Sequence, residues 1–267
     1  MIRPITSLHN PVIRNVILLR EKSREREKQE LFIIEGFREF SLAVTGGFSM
    51  TSVFYCPELL PPEEVKKIVE DSANSEHYEV SLPVYNRIAF RHDSEGIIAL
   101  AKPHLYNLDD LDMQIDPLIL ILESIEKPGN LGALLRTADA ANLDAVIICD
   151  PLTDVYNPNA VRSSLGCIFT VPVVVSSTEK TQKWLRSNRI TSYATSLSAD
   201  LHYHNCDFRG PTAFVMGTES TGLSEEWLSK ADHSIKIPMS GRIDSMNVSV
   251  SAAIVVFEAR RQRNFRS

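Results

Sequence analysis

In the second half of the chain, continuous apolar runs alternate with amphipathic stretches. LILILE (118–123), AVIICD (145–150), VPVVVSS (171–177), TSYATSL (191–197), TAFVMGTE (212–219) and HSIKIPM (233–239) read as strands. Between them lie helical patterns. In NLGALLRTADAANL (130–143) Leu131, Leu134, Leu135 and Ala138 share one face. NAVRSSLGCIF, EKTQKWLRSN, SEEWLSKA and VSVSAAIVVFEARRQ read as further helices. Apolar strands separated by helices predict a parallel sheet covered on both faces. In such sheets ligands bind in the loops beyond the carboxyl ends of the strands.

The first half has a weaker pattern of the same kind. Val12–Leu19 begins a helix, and FIIEG (32–36), SVFYC (52–56) and GIIALAK (96–102) read as strands. REFSLAV and PPEEVKKIVEDS read as helices, the second with proline in its first turn. This predicts a small α/β domain over residues 1–102. The stretch KPHLYNLDDLDMQIDP, with proline near both ends and little periodicity, predicts a linker over 103–116 before a second domain at 117–267.

Composition narrows the class. The 267 residues are 43% hydrophobic with a formal charge of −6, which excludes a disordered chain and argues against coating nucleic acid over the whole surface. No run approaches a membrane span, and the first fifteen residues lack the apolar core of a secretion signal. Cys56, Cys149, Cys167 and Cys206 are far apart without CxxC spacing, so reduced thiols in a cytoplasm are expected rather than disulfides or a zinc site. HYHNC (202–206) reads as polar residues of an exposed loop, and no metal is expected. Residues 14–28 hold Arg14, Arg20, Lys22, Arg24, Arg26 and Lys28 interleaved with glutamates. From charge alone this is a solvated, salt-bridged helix face.

The unusual residues lie in the loops after the strands. Gly129 and Gly132 flank Asn130 at a helix start, where free N–H groups favour an anion, and Arg136 follows about a turn and a half later. A plain N-cap explains that segment equally, and it is not the GxGxxG fingerprint. Gly217 and Gly222 bracket Glu219, a ligand contact or a cap. Ser245 and Asn247 precede the last helix, where capping accounts for one of them readily.

Taken together and in this order, NLGALLRTADAA, YNPNAVRSSLGCIF, FVMGTESTGLS and IPMSGRIDSMNVSVSAA resemble the three motif regions of the SpoU/TrmH family over residues 118–262. These are SPOUT-class RNA 2′-O-methyltransferases that use S-adenosylmethionine. LHNPVIRNV and FIIEGFREF resemble, less specifically, the small L30e-like RNA-binding domain of rRNA-modifying members. The resemblance implies an α/β knot domain with a deep trefoil knot, an exception to the rule against knotted chains, and a homodimer with its active site at the interface. It implies a cofactor pocket at Thr195, Gly217, Gly222, Ile237, Pro238, Met239 and Met246. The family usually has leucine where this chain has Met246, a near-isosteric change. Asn130, Arg136, Glu219, Ser245 and Asn247 match the family's catalytic and conserved polar positions.

Arginine is effectively always protonated, so Arg136 is expected to bind an RNA phosphate and stabilise charge on the 2′-oxygen rather than act as a base. The RNA contacts expected are Arg14, Arg20, Lys22, Arg24 and Arg162, with Arg260, Arg261, Arg263 and Arg266 near the C-terminus. Ribosomal RNA is favoured over transfer RNA by analogy with the first domain. Alternatives are a tRNA 2′-O-methyltransferase, a non-catalytic RNA-binding protein of the same fold, a base-nitrogen methylator of the same class, and a nucleotide-binding oxidoreductase, which lacks its glycine fingerprint here.

Overall fold

The computed structural model describes residues 2–90, 95–242 and 245–265, so Arg266 lies outside the described residues. The chain divides into two compact units, Met1–His104 with Tyr156–Thr170, and Leu105–Val155 with Val171–Ser267.

Unit 1 contains β1 (Ile2–Ile5), α1 (Pro11–Glu21), α2 (Ser23–Gln29), β2 (Phe32–Glu35), α3 (Phe37–Thr45), β3 (Met50–Tyr55), α4 (Pro62–Asp71), β4 (Glu76–Val80), α5 (Leu82–Ile88) and β5 (Ile97–Ala101). Its sheet runs in the order β1-β4-β3-β5-β2. β1, β4 and β3 pair in parallel, while β5 is antiparallel to both β3 and β2. α1 starts at Asn10, whose side chain accepts from Val12 N, with proline at the first helical position. Its Ile13, Val16 and Leu19 are fully buried in a cluster with Phe54, Val80, Tyr85 and Ile98.

Unit 2 contains β6 (Leu118–Glu123), α6 (Pro128–Ala140), β7 (Ala145–Cys149), β8 (Val173–Ser176), α8 (Thr178–Ser187), β9 (Thr191–Thr195), β10 (Leu201–His202), β11 (Thr212–Met216), α9 (Glu225–Lys230), β12 (His233–Lys236) and α10 (Val248–Gln262). The intervening α7 (Pro158–Ser163) belongs to unit 1. The seven strands are all parallel, in the order β10-β12-β9-β11-β6-β7-β8. Every residue of β6, β7 and β11 is buried, as continuous apolar strands between two helical layers must be. Trp184, Leu185 and Trp227 pack with Ile119, Ile121 and Ile147 in one core cluster. α10 packs against α6, and the Arg260 guanidinium donates to the carbonyls of Ala141 and Asn142. A cation there satisfies carbonyls that a helix C-terminus leaves without partners.

Three features differ from the sequence pattern. Residues 103–116 do not form a bare connection: Leu108–Asp110 is a 3₁₀ turn, and Leu108, Leu111 and Met113 pack against the unit 2 core. The segment 156–170, assigned by the pattern to the second domain, packs into unit 1, because its aromatic rings find apolar partners there. Tyr156 stacks on Phe32 at 4.2 Å between centroids, and Phe169 meets the edge of Phe48 at 5.0 Å. NAVRSSLGCIF is also not one helix. It breaks at Leu165 and Gly166, both with positive φ, into α7 and a 3₁₀ turn at Cys167–Phe169.

All four cysteines are free thiols. Burial pushes the Cys149 thiol up to about 12, so it stays protonated. Among the described residues no helix is long and apolar enough to cross a membrane, and no group of three or more His, Cys, Asp or Glu side chains is placed to hold a metal ion.

Candidate active site

The loops following β9, β11 and β12, with the segment leading into α10, enclose a cavity of ≈ 440 Å³. All come from unit 2. They lie together because parallel strands deliver their carboxyl ends to one edge of the sheet. Thr195 Oγ1 donates to Val215 O at 2.9 Å, linking the ends of β9 and β11. The turn after β11 closes on itself: Thr218 and Gly222 exchange two backbone hydrogen bonds of 3.1 Å. Gly217 makes this closure possible, since a Cβ there would lie 2.2 Å from the carbonyl carbon of Gly222. Gly222 itself has φ +71°, a conformation that favours glycine. Glu123, buried at the end of β6, accepts from Ser224 N (2.8 Å) and Ser224 Oγ (2.6 Å), and so ties this turn to the sheet.

The cavity walls are apolar at Met216, Leu223, Ile235, Ile237, Met246 and Val248, and polar at Thr195, Ser196, Ser198 and Ser251. A cavity of this volume with mixed walls suits a nucleoside-sized ligand. Its only charged lining residues among those described are Glu219 and Lys236.

A smaller cleft continues from the cavity, sharing Thr218, Glu219, Ser220 and Val248 and adding Glu126, Lys127 and Asn130. Here four polar side chains from three segments converge. Lys127 pairs with Glu219. Asn247 Nδ2 donates to Glu219 Oε1 at 2.6 Å and to Asn130 Oδ1 at 3.2 Å. Asn247 Oδ1 caps α10 by accepting from Ser249 N at 3.0 Å. One asparagine therefore serves both as a helix cap and as a site residue. The hydrogen bond from Lys127 holds the Glu219 carboxyl below the usual carboxylate range, and the same pair raises Lys127. At neutral pH Glu219 is an acceptor only.

Of the residues expected around a cofactor, Thr195, Gly217, Gly222, Ile237, Met239 and Met246 line the cavity. Pro238 sits between two of them without lining it among the described residues. Of the expected catalytic group, Ser245 and Glu219 line the cavity, Asn130 and Glu219 line the cleft, and Asn247 bridges Asn130 and Glu219. Arg136 lines neither. It is exposed on α6, about 9 Å along the helix from Asn130 and on a different face, with no hydrogen bond or ion pair to another described residue.

The basic residues expected at RNA divide into two groups. Arg14, Lys22 and Arg24 are exposed. Arg20 donates to the carbonyls of Arg87 (3.2 Å), Ile88 (3.4 Å) and Ala89 (3.0 Å) at the end of α5, and the buried Arg26 donates to Leu19 O at 2.6 Å at the end of α1. Arg162 lies 5.1 Å from the centroid of Phe90. Arg260 is engaged with α6, Arg261 with Glu258, and Arg263 with the carbonyls of Phe208 (2.8 Å) and Gly210 (2.6 Å).

Residues 117–257, more than half the chain, match the SpoU rRNA Methylase family. The chain belongs to this family. Residues 10–99 match the MRM3-like substrate binding domain. The 23S rRNA (guanosine(2553)-2′-O)-methyltransferase RlmP of Bacillus subtilis is 27% identical over 258 residues, covering 97% of this chain and 99% of its own. The 23S rRNA (guanosine-2′-O-)-methyltransferase RlmB of Escherichia coli is 37% identical over 176 residues, covering 64% of this chain and 72% of its own. The AdoMet-bound rRNA methyltransferase of Sinorhizobium meliloti superposes with a TM-score of 0.91 at 27% identity, covering 100% of this chain and 99% of that one.

Three polar residues of this candidate site were not singled out by the sequence pattern. Lys127 precedes the Pro-Gly-Asn helix start, but its partner Glu219 lies 92 positions away. Glu123 reads as the polar end of a strand, and Lys236 as a strand residue. The signal available was position alone, each standing at or just beyond the carboxyl end of a parallel strand.

Proposed function

We propose that this protein transfers a methyl group from S-adenosylmethionine to a ribose 2′-oxygen in ribosomal RNA. The observation that carries the reading is the convergence of the Gly217–Gly222 turn, Ile237, Met239 and Met246 on one cavity that opens into the Asn130–Glu219–Asn247 cleft. The names of the SpoU relatives, 23S rRNA 2′-O-methyltransferases, support the same chemistry and the rRNA substrate.

The fit to the cofactor rests on the chain's own groups. Gly217 lets the backbone approach closely, and the apolar walls at Ile237 and Met246 suit the face of an adenine. When bound, the cofactor supplies a methyl group already activated by the sulfonium charge. The protein's part is alignment. Glu219, ionised and fixed by Lys127 and Asn247, accepts hydrogen bonds from the ribose. Asn130 and Ser245 complete its orientation. Arg136 holds the neighbouring RNA phosphate and stabilises charge developing on the 2′-oxygen, while that phosphate or water takes the proton.

Arg136 faces solvent within one chain, and α10 exposes Val250 and Phe257 one helical face apart from its buried residues. Both features support a homodimer built on α6 and α10 that completes the site. We further propose that the C-terminal segment threads a deep trefoil knot, that unit 1 is an L30e-like substrate-binding domain, and that the enzyme acts in the cytoplasm on ribosomes or their precursors. Exposed Arg14, Lys22, Arg24 and Arg162 are the proposed RNA contacts.

Mapping 2′-O-methyl nucleotides in rRNA from cells with and without the protein tests the function. One or a few sites should vanish in its absence and return on complementation with the native chain but not with Arg136→Ala. An unchanged map in rRNA would remove the rRNA reading.

A further inference from the structure

The cavity carries charge at two places. Glu219 stands where the cavity meets the smaller cleft, and its charge is matched by Lys127. Lys236 lines the cavity but not the cleft, and its side chain makes no hydrogen bond or ion pair to another described residue. It ends β12, half-buried, directly after Ile235. The carbonyl of Ile235 accepts from Ser196 N at 2.9 Å, which brings the turn after β9 alongside. In that turn the Ser196 and Ser198 hydroxyls are 2.9 Å apart, and Ser198 N donates to Ser196 Oγ at 3.3 Å. Both serines line the cavity. The cavity wall thus carries an ammonium and two hydroxyls on neighbouring strand ends, none of which lines the cleft that Glu219 shares.

We infer that Lys236, with Ser196 and Ser198, forms a subsite for the carboxylate of the cofactor's amino-acid tail. This inference rests on the proposed cofactor and adds a specificity-determining residue to it. The arrangement suits a ligand with separated charges. An ammonium beside a sulfonium would repel it, whereas one outside the cleft that holds Glu219 pairs with the ligand's single anionic group. The same placement orients the bound molecule, directing its sulfonium end toward Glu219 and the cleft. The hydroxyl pair adds neutral hydrogen-bond donors for the same carboxylate.

The test is calorimetric titration of the full chain with two probes. S-adenosylhomocysteine carries the carboxylate; its decarboxylated analogue keeps the amine and lacks only that group. Lys236→Met should weaken S-adenosylhomocysteine about ten-fold, the scale of one partly exposed charge-assisted hydrogen bond. It should leave the decarboxylated probe unchanged, and that unchanged affinity also reports an intact cavity. Lys236→Arg should retain most of the native discrimination between the probes. Equal weakening of both probes, or of neither, would overturn the subsite. If the native protein binds neither probe, the cofactor reading itself fails, an outcome distinct from loss of discrimination.

Discussion

In unit 1, Arg20 donates to three carbonyls at the end of α5, and Arg26 donates to the carbonyls of Leu19 and Arg20 at the end of α1. In unit 2, Glu219, Asn130 and Asn247 meet one another across loops far apart in sequence, beside a cavity of ≈ 440 Å³. Both are clusters of polar side chains at the ends of regular elements, and sequence alone does not distinguish them. The difference lies in what each cluster satisfies. The arginines complete backbone groups that helix ends leave without partners, so their donors are occupied by the fold. The acid and amides of unit 2 lie at the carboxyl edge of an all-parallel sheet, where loops converge without filling the space between them. A mixed sheet such as that of unit 1 sends strand ends both ways and makes no such edge.

Variants can sharpen that contrast, beginning with the site. Glu219→Gln or Asn247→Ala should lower kcat on the order of 100-fold, the usual scale for a preorganised polar group, while S-adenosylhomocysteine affinity by calorimetry stays within a few-fold. Because Lys127 depresses the Glu219 carboxyl, the native activity should persist as pH falls through the ordinary glutamate range and decline only below it. The acid limb of a pH–rate profile reads this, and in Glu219→Gln that limb should disappear from the residual activity.

Gly217→Ala should come next. Its Cβ cannot be accommodated against the Gly222 backbone. Displacing that turn should weaken S-adenosylhomocysteine about ten- to a hundred-fold, the scale of overpacking a rigid site. Arg26→Ala should leave cofactor affinity unchanged and destabilise the protein by about 1.5–3 kcal/mol, the range for hydrogen bonds from a charged group, measured by denaturant unfolding of unit 1. A loss of RNA affinity without a loss of stability would place Arg26 with the binding residues instead. The smallest effect belongs to Arg24→Ala. Stability should be unchanged, while the slope of log affinity for RNA against log salt falls by about 1, as expected for one lost phosphate contact.

The sequence pattern located the parallel unit well, for a physical reason. Strands buried on both faces are apolar throughout, so LILILE coincides with β6 at Leu118–Glu123, and the Asn247 cap and the run to Gln262 coincide with α10. Unit 1 was harder to read. β1 is a four-residue strand with three exposed residues and a proline, and β4 has two glutamates in five residues, so neither stands out from a loop. The highly charged 22–29 stretch hides a break: Lys22 is extended and separates α1 from α2. In the site, glycine turns and Ser–Asn pairs interrupting apolar runs marked the loops. What no local pattern could mark was pairing across the fold. Lys127 with Glu219, Glu123 with Ser224, and Arg20 with the end of α5 each join residues more than sixty positions apart.

The central claim is that the carboxyl-end loops of unit 2 act together as one cofactor site. Hydrogen–deuterium exchange of the full chain, with and without S-adenosylhomocysteine, measures this at the backbone. The account predicts slowed exchange in the segments around 195–198, 216–224, 235–239 and 245–251, with unit 1 little changed. Protection centred on unit 1, or no protection at saturating ligand, would contradict it.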